Sequence, residues 1–149
     1  MLRGMITIAG TSSEQSLEAV RRILREFNVR VRKELRSPDL SDKPLNLVAK
    51  SSGRIVGGLL ATTRGLWLKV SIMAVDESQR RQGLGTRLLR QAEALARGRG
   101  CRYAYVDTMD YQAPGFYRRL GYRPAGKLIN WDSNGHDKLF FTKLLRRRS

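Results

Sequence analysis

Two glycines separated by one residue stand where an apolar run ends and a helical pattern begins. Gly83 and Gly85 follow Arg80 and Arg81 in the string Arg-Arg-Gln-Gly-Leu-Gly. Glycine has no side chain to obstruct a ligand, and the first amides of a helix have no partner inside that helix. Because these amides carry the positive end of the helix dipole, they bind anions such as phosphate. The segment predicts an anion-binding loop, although a Gly-x-Gly pair can also form only a tight turn.

The residues around these glycines exclude two other phosphate-binding motifs. A dinucleotide-binding fingerprint needs a third small residue where the chain has Leu88. A P-loop needs Gly-Lys-Ser or Gly-Lys-Thr, and neither string occurs. The sequence therefore predicts an anion-binding loop that is neither a dinucleotide-binding fingerprint nor a P-loop.

Cysteine and histidine are too few for several kinds of site. The single cysteine, Cys101, excludes an intramolecular disulfide and a cysteine-based zinc site. The single histidine, His136, excludes a pair of histidine ligands. We predict no metal, and we interpret His136 as an exposed residue of a polar turn.

The composition indicates what kind of chain must position these residues. With 149 residues, 41% hydrophobic and 28% charged, the composition is that of one globular domain over residues 1–149. No apolar run approaches the length of a membrane span, so we expect a cytoplasmic protein without membrane association. The net charge of +16 indicates either a polyanion partner such as nucleic acid or a generally basic, solvated surface.

The alternation of apolar and polar residues predicts a mixed α/β fold. From residue 66 to residue 75 the apolar side chains Leu66, Leu68, Val70, Ile72 and Ala74 follow period two, which predicts a central strand with one apolar face. A helix after Ser13 is expected to bury a stripe from Leu17 to Val31. The other segments are predicted strands at 5–9, 47–50, 55–62, 101–109, 122–131 and 138–145, helices at 84–98 and 114–120, and turns at 37–44 and 132–135.

The order of elements gives an antiparallel start followed by one strand-helix-strand crossover. The strands ending near Val75 and Thr108 should therefore be parallel neighbours. On the second helix, one apolar face is expected from residues that include Leu84, Leu88 and Leu95.

Three segments resemble the GNAT superfamily of acyl-CoA-dependent N-acyltransferases. Arg80-x-x-Gly83-x-Gly85 is similar to its pyrophosphate loop, residues 72–76 to the end of its fourth strand, and residues 112–122 to its Ala-x-x-Phe-Tyr-x-x-x-Gly-Phe segment. The order of elements also matches over residues 5–145. The chain also resembles a bacterial subgroup of this family. That subgroup has Asp-Thr before Gln-Ala-Pro and Gly-His before the last strand, and Asp107-Thr108 and Gly135-His136 stand at these places here.

The resemblance implies a GNAT-like fold: a central, mixed, mostly antiparallel sheet with splayed strands 4 and 5, flanked by helices. It implies an acetyl-CoA-dependent N-acetyltransferase in which a primary amine of a small molecule or protein attacks the thioester directly, with a homodimer as a common assembly. The alternative that we keep is a basic nucleic-acid- or ribosome-associated protein on a GNAT-like scaffold.

The resemblance also implies roles for individual residues. Tyr117 stands at the position of the general acid, with a packed helix aromatic as the alternative interpretation. Asp110 is the best placed candidate base among the carboxylates, which also include Asp107, Asp76 and Glu77. The residues implied in acetyl-CoA binding are Met73, Ala74, Val75, Arg80, Arg81, Gln82, Gly83, Leu84, Gly85, Thr86, Gln112 and Phe116.

Overall fold

A computed structural model describes residues 6–36 and 40–145. The chain falls into two units, residues 1–39 and residues 40–149, which we describe separately.

The first unit contains one long helix, α1 (Glu14–Glu34). It begins as predicted at Ser13, whose hydroxyl oxygen accepts a hydrogen bond from the Ser16 amide at 3.4 Å. None of its residues is buried, so the predicted burial of its apolar stripe is wrong. Period 3.6 shows that a helix is amphipathic and does not show what covers the apolar stripe.

The predicted strand at residues 5–9 is also wrong. Residues 6–9 are irregular and exposed, and Met5 lies outside the described residues. Apolar alternation at Ile6 and Ile8 is not sufficient for a strand, because a strand forms only where a neighbouring strand accepts its hydrogen bonds.

The second unit is a six-stranded sheet in the order β1-β2-β3-β4-β6-β5. Only β3 and β4 run parallel, as the crossover predicted. Its elements are β1 (Lys43–Ser51), β2 (Arg54–Arg64), β3 (Trp67–Val75), a 3-10 turn (Glu77–Gln79), α2 (Leu84–Gly98), β4 (Tyr103–Met109), α3 (Pro114–Arg119), β5 (Arg123–Leu128) and β6 (Lys138–Leu144).

The turn predicted at 37–44 is only partly present. Residues 37–39 lie outside the described residues, and β1 already begins at Lys43. Pro44 is compatible with β1 because β1 is an edge strand, where a missing N–H leaves no ladder bond unmade.

The core of the second unit packs α2 against the sheet. Leu59, Leu68, Leu89, Val106 and Phe141 are among its fully buried side chains. The predicted buried face of α2 holds for Leu88, Leu89, Ala92 and Ala96.

Leu95 departs from this prediction and is 45% exposed, whereas Glu93 is 3% exposed. The Glu93 carboxylate accepts hydrogen bonds from the Tyr122 hydroxyl at 3.0 Å and from Lys143 Nζ at 2.9 Å. These partners, brought in from β6 and from the segment before β5, make burial of the carboxylate possible.

A β-bulge in β3 changes which residues face the core. Val70 pairs with Ala61 and Ile72 pairs with Leu60, so Ser71 has no partner across the pair. Leu68 and Val70 are buried as predicted, but Ile72 is 57% exposed. After the bulge Met73 and Val75 pack against the core instead, so the single apolar face predicted for residues 66–75 is wrong beyond Val70.

Beyond the bulge, β3 and β4 separate. Their parallel pairing covers only Trp67 to Val70 of β3 against Tyr103 to Val106 of β4. β3 then continues to Val75 beside β2, and β4 continues to Met109 beside β6. The splay predicted for the fourth and fifth strands of the family is therefore present between β3 and β4.

Candidate functional site

A cleft of about 890 Å³ lies between the separated ends of β3 and β4. The loop before α2 forms one end of it, and the segment leading into α3 forms another wall. The lining residues are Val70, Ser71, Ile72, Met73, Ala74, Val75, Gln79, Arg80, Arg81, Gly83, Leu84, Gly85, Thr86, Asp107, Thr108, Tyr111, Gln112, Ala113, Phe116, Tyr117 and Arg119.

The backbone of β3 presents polar groups to this cleft. In an antiparallel pair, residues whose N–H and C=O face the partner alternate with residues whose groups face away. The Asp76 amide donates to the Val56 carbonyl at 2.8 Å, which places Asp76 and Ala74 in the first class. Met73 and Val75 are in the second class, and Arg80 Nε donates to the Val75 carbonyl at 3.3 Å from this open side.

The loop between β3 and α2 is shaped for an anion. Arg81 (φ 60°) and Gly83 (φ 77°) both adopt the left-handed conformation, and Gly83 is the N-cap of α2. The first turn of this 15-residue helix contains no acidic side chain. Its free amides, together with the side chains of Arg80 and Arg81, fit a phosphate or diphosphate.

Gln82 is the one member of the predicted loop, residues 80–86, that does not line the cleft. Its side-chain amide donates to the Ser78 carbonyl at 3.3 Å. Asp76 stabilises the same turn, since its carboxylate accepts from the Ser78 amide at 3.0 Å and also from the Ser78 hydroxyl. These hydrogen bonds lower the pKa of Asp76, which keeps it ionised and occupied with the turn.

Gln112 and Phe116 line the cleft from the α3 side. The Gln112 side-chain oxygen accepts hydrogen bonds from the Met109 amide at 2.8 Å and from the Thr108 hydroxyl at 3.2 Å. This fixes the orientation of the amide and leaves its NH₂ group without a partner among the residues described. The Phe116 ring lies 3.5 Å from where a Cβ would stand on Gly85, so the ring packs directly against the first turn of α2.

Tyr117 is 6% exposed and lines the cleft. No group within residues 6–36 and 40–145 forms a hydrogen bond with its hydroxyl. Burial raises the pKa of Tyr117, and the negative charge of nearby Asp107 raises it further. Its phenol therefore keeps its proton well above neutral pH and can donate that proton to a leaving group in the cleft.

The carboxylates near the cleft have different surroundings. Asp107 lines the cleft, accepts a hydrogen bond from the Tyr105 hydroxyl at 3.1 Å and forms an ion pair with Lys138 at 3.2 Å. Asp110 is not among the lining residues. One of its oxygens lies 3.0 Å from His136 Nδ1, and the other accepts from the Asp137 amide at 2.9 Å. The structure thus places Tyr117 in the cleft and Asp110 beside it, in a hydrogen-bonded loop contact.

Several lining residues were not predicted as site residues. Among them, Gln79, Tyr111 and Arg119 carry no motif of their own, and only their spacing from the glycine loop, from the end of β4 and from Tyr117 could have indicated them. The hydrogen bonds from the Thr108 hydroxyl and the Met109 amide to Gln112 depend on how the chain turns at the end of β4. No local sequence pattern indicates that turn.

Two further features bear on the kind of site. Within residues 6–36 and 40–145, no three His, Cys, Asp or Glu side chains come together as metal ligands would. The helices of that same part of the chain are each too short or too polar to cross a membrane.

The chain has relatives of recorded activity. Residues 17–122 match the model of the acetyltransferase (GNAT) family. The sequence is 41% identical to the blasticidin-S acetyltransferase of Streptomyces morookaense over 101 residues, which is 64% of this chain and 74% of that protein. It is also 41% identical to an acetyltransferase of Agrobacterium fabrum over 90 residues, which is 59% of this chain and 66% of the other.

A solved structure extends this likeness to most of the chain. The crystal structure of an acetyltransferase from Bacillus cereus is similar with a TM-score of 0.81 and 29% identity, over 93% of this chain and 97% of that one.

Proposed function

Because this chain belongs to the acetyltransferase (GNAT) family, we propose that it acetylates the primary amine of a small molecule by direct attack on acetyl-CoA in a ternary complex. It is an N-acetyltransferase and uses acetyl-CoA as its co-substrate, as the resemblance implied. The observation that carries the proposal is the divergence of β3 from β4 beside the N-terminus of α2. This arrangement offers a slot for an extended thioester arm and an anion site at one end of the slot.

The donor is held by backbone groups. The amides of residues 81–86 bind the pyrophosphate, and Arg80 adds a positive charge next to it. The N–H groups of Met73 and Val75 and the C=O group of Met73 bind the pantetheine arm as a neighbouring strand would, since the Val75 carbonyl already accepts from Arg80. The corresponding groups of Ala74 face β2, so its contribution is packing alone.

The chemistry then needs an oxyanion donor and an acid. A strand N–H at Met73 or Val75, fixed before the reaction begins, stabilises the negative charge that develops on the thioester oxygen. The neutral amine forms the new C–N bond, the C–S bond breaks, and the sulfur takes the proton of the Tyr117 hydroxyl. The amine nitrogen releases its surplus proton, and the phenol is reprotonated from solvent.

The acceptor that we propose is an amine-bearing natural product of the kind that blasticidin-S acetyltransferase modifies. The identity of 41% over 101 residues supports this class. The local charge supports it too. Although the chain carries +16 overall, four of its 13 acidic residues, Asp107, Asp110, Asp132 and Asp137, lie at the end of β4 and in the β5–β6 loop. Asp107 and Asp137 form ion pairs with Lys138 and Lys127, so Asp110 and Asp132 are the two carboxylates that offer negative charge to a cationic acceptor at this end of the molecule.

An acceptor panel tests the proposal. Blasticidin S, an aminoglycoside, a polyamine, amino acids and peptides with free N-termini are each incubated with acetyl-CoA, and released thiol is measured together with the mass of the acceptor. We expect a small amine, with blasticidin S foremost, to gain one acetyl group with the highest kcat/KM. Acetylation confined to peptides would contradict the small-molecule acceptor, and a panel without any acetylated product would contradict the proposed function.

The nucleic-acid-binding alternative is not favoured. A cytoplasmic location, association with polyanions and a homodimer stay predictions of the sequence.

A further inference from the structure

The loop between β5 and β6 is tied to the segment that follows β4. The Asp110 amide donates to the Asp137 carbonyl at 3.0 Å, and the Asp137 amide donates back to Asp110 Oδ2 at 2.9 Å. The His136 ring completes this contact, since its Nδ1 lies 3.0 Å from Asp110 Oδ1. Residues 26 and 27 positions apart in the sequence are thus held together by three hydrogen bonds.

This contact reaches the cleft through Tyr111. The ring of Tyr111, which lines the cleft, meets the His136 ring edge-on with 4.9 Å between centroids. His136 does not line the cleft itself, and its side chain is half exposed next to Tyr111, so it lies at the rim of the cleft.

The carboxylate of Asp110 determines the tautomer of His136. An ionised carboxylate only accepts hydrogen bonds, so the proton of the neutral ring is on Nδ1 and the lone pair is on Nε2. Within residues 40–145, no protein group forms a hydrogen bond with Nε2. The geometry therefore gives an oriented imidazole with a free basic nitrogen at the rim.

Several other charged groups surround this ring. Asp132 accepts from the backbone amide of His136 at 3.1 Å, and Asp137 pairs with Lys127 at 3.2 Å. The titratable or charged neighbours are Asp110 and Tyr111 from the segment after β4, Asp132 and Asp137 from the same loop, Lys127 from β5 and Lys138 from β6.

We propose that His136 is the general base of the reaction and that Asp110 is its positioning residue. The inference rests on the proposed function. The acceptor arrives as an ammonium ion, and Nε2 of His136 takes one proton from its nitrogen, which leaves a neutral amine and an imidazolium. The amine forms the C–N bond, the C–S bond breaks, and the thiolate is protonated by Tyr117. The acylated nitrogen releases its surplus proton, which returns the Tyr117 phenolate to the phenol through solvent. His136 then returns its proton to solvent, so one acetyl amide, one free thiol and one proton result per turnover.

The pH profile of kcat/KM tests the proposal. We expect His136→Gln to lower kcat/KM about 100-fold at pH 7, within the usual range for general-base catalysis. The deficit should shrink with each pH unit toward the pKa of the acceptor amine, because solution then supplies the neutral amine without a base. Asp110→Asn should give a smaller loss with the same pH dependence, and added imidazole should restore part of the His136→Gln activity at neutral pH.

Asn134→Ala is the matched control in the same loop, since its side chain makes no hydrogen bond in the described chain, and it should behave as the wild type. The dissociation constant of acetyl-CoA should be unchanged in all three variants. A loss of equal size at every pH, which makes the His136→Gln profile parallel to that of the wild type, overturns the inference. If the wild type acetylates no amine at any pH, the proposed function falls and the inference with it.

Discussion

The Tyr117 phenol is surrounded by three aromatic rings, those of Phe116, Tyr122 and Phe141, with centroid distances from 5.2 to 6.3 Å. These rings pack around Tyr117, which is 6% exposed and lines the cleft. Since burial is the first cause of its raised pKa, the proton stays on the phenol over the range in which an N-acetyltransferase works. Both interpretations of Tyr117 from the sequence therefore describe it: it is a packed helix aromatic and a candidate acid.

Tyr117→Phe should lower kcat by about 100-fold and leave the dissociation constant of acetyl-CoA nearly unchanged, because only the transferable proton is removed. The wild-type kcat should not fall as pH rises to about 10, the ordinary pKa of tyrosine, since the folded-state pKa lies above it. Steady-state rates and calorimetric titration with acetyl-CoA measure both. Tyr103→Phe, which alters a tyrosine stacked on Trp67 outside the cleft, is the control. An unchanged kcat in Tyr117→Phe would remove Tyr117 from the mechanism.

For individual residues, the sequence indicated which side chains lie near the cleft better than it indicated their hydrogen-bond partners. Tyr117, Gln112 and the glycines of the loop line the cleft, and the roles that the resemblance implied for them stay predictions. Asp110 was predicted as the base from its position alone. Its hydrogen bond to His136 could not be predicted, because a long connection through α3 and β5 brings these two residues together.

Among the secondary-structure elements, the bulge at Ser71 in β3 is the feature that opens the cleft between β3 and β4. One extra residue bends β3 away from β4 just where their pairing ends at Val70 and Val106. The sequence could not reveal it, because an exposed serine continues the alternation of apolar and polar residues. The strand pairing and the inward packing of Met73, where the alternation predicts Ile72, show that the register has shifted.

Deletion of Ser71 should abolish acetyl-CoA binding while the protein remains folded. Without this residue, Val70, Met73 and Val75 alternate regularly toward the core, so β3 can run straight beside β4 and fill the slot. Far-UV circular dichroism checks the fold, and calorimetric titration checks binding. Ser71→Ala retains the extra residue and should bind as the wild type does. Wild-type affinity in the deletion variant would show that the bulge does not create the site.

The sheet consists of two halves, β1-β2-β3 and β4-β6-β5, joined by only four residue pairs. A ligand that binds β3 on one side and rests against the α3 segment on the other connects these halves. Binding of this kind stabilises the folded state by mass action, independently of any catalytic step.

Acetyl-CoA at 100 times its dissociation constant should stabilise the protein by about 2.7 kcal/mol. For a chain of this size the melting temperature should rise by roughly 5–10 °C. Differential scanning calorimetry at constant ionic strength measures the rise, with adenosine as the control because it lacks both the pyrophosphate and the thioester arm. Equal shifts with adenosine, or no shift with millimolar acetyl-CoA, would contradict the assignment of the cleft.

The overall fold was easier to predict from the sequence than the details of the site. The mixed sheet, the parallel β3–β4 pair and the GNAT family were predicted from periodicity and from three motifs, and the structure and the family match confirm them. The apolar stripe of α1 was predicted to be buried and is not, since amphipathicity identifies a face without its partner. The single domain over residues 1–149 stays a prediction.

Cys101 has a practical consequence for anyone who measures this protein. The thiol is 4% exposed, its sulfur lies 3.8 Å from the Gly65 carbonyl, and burial raises its pKa. At mildly alkaline pH it stays protonated and out of reach of disulfide reagents, whereas free coenzyme A reacts at once. A colorimetric thiol reagent can therefore report turnover continuously with the enzyme present in stoichiometric amounts, because the catalyst adds no colour of its own.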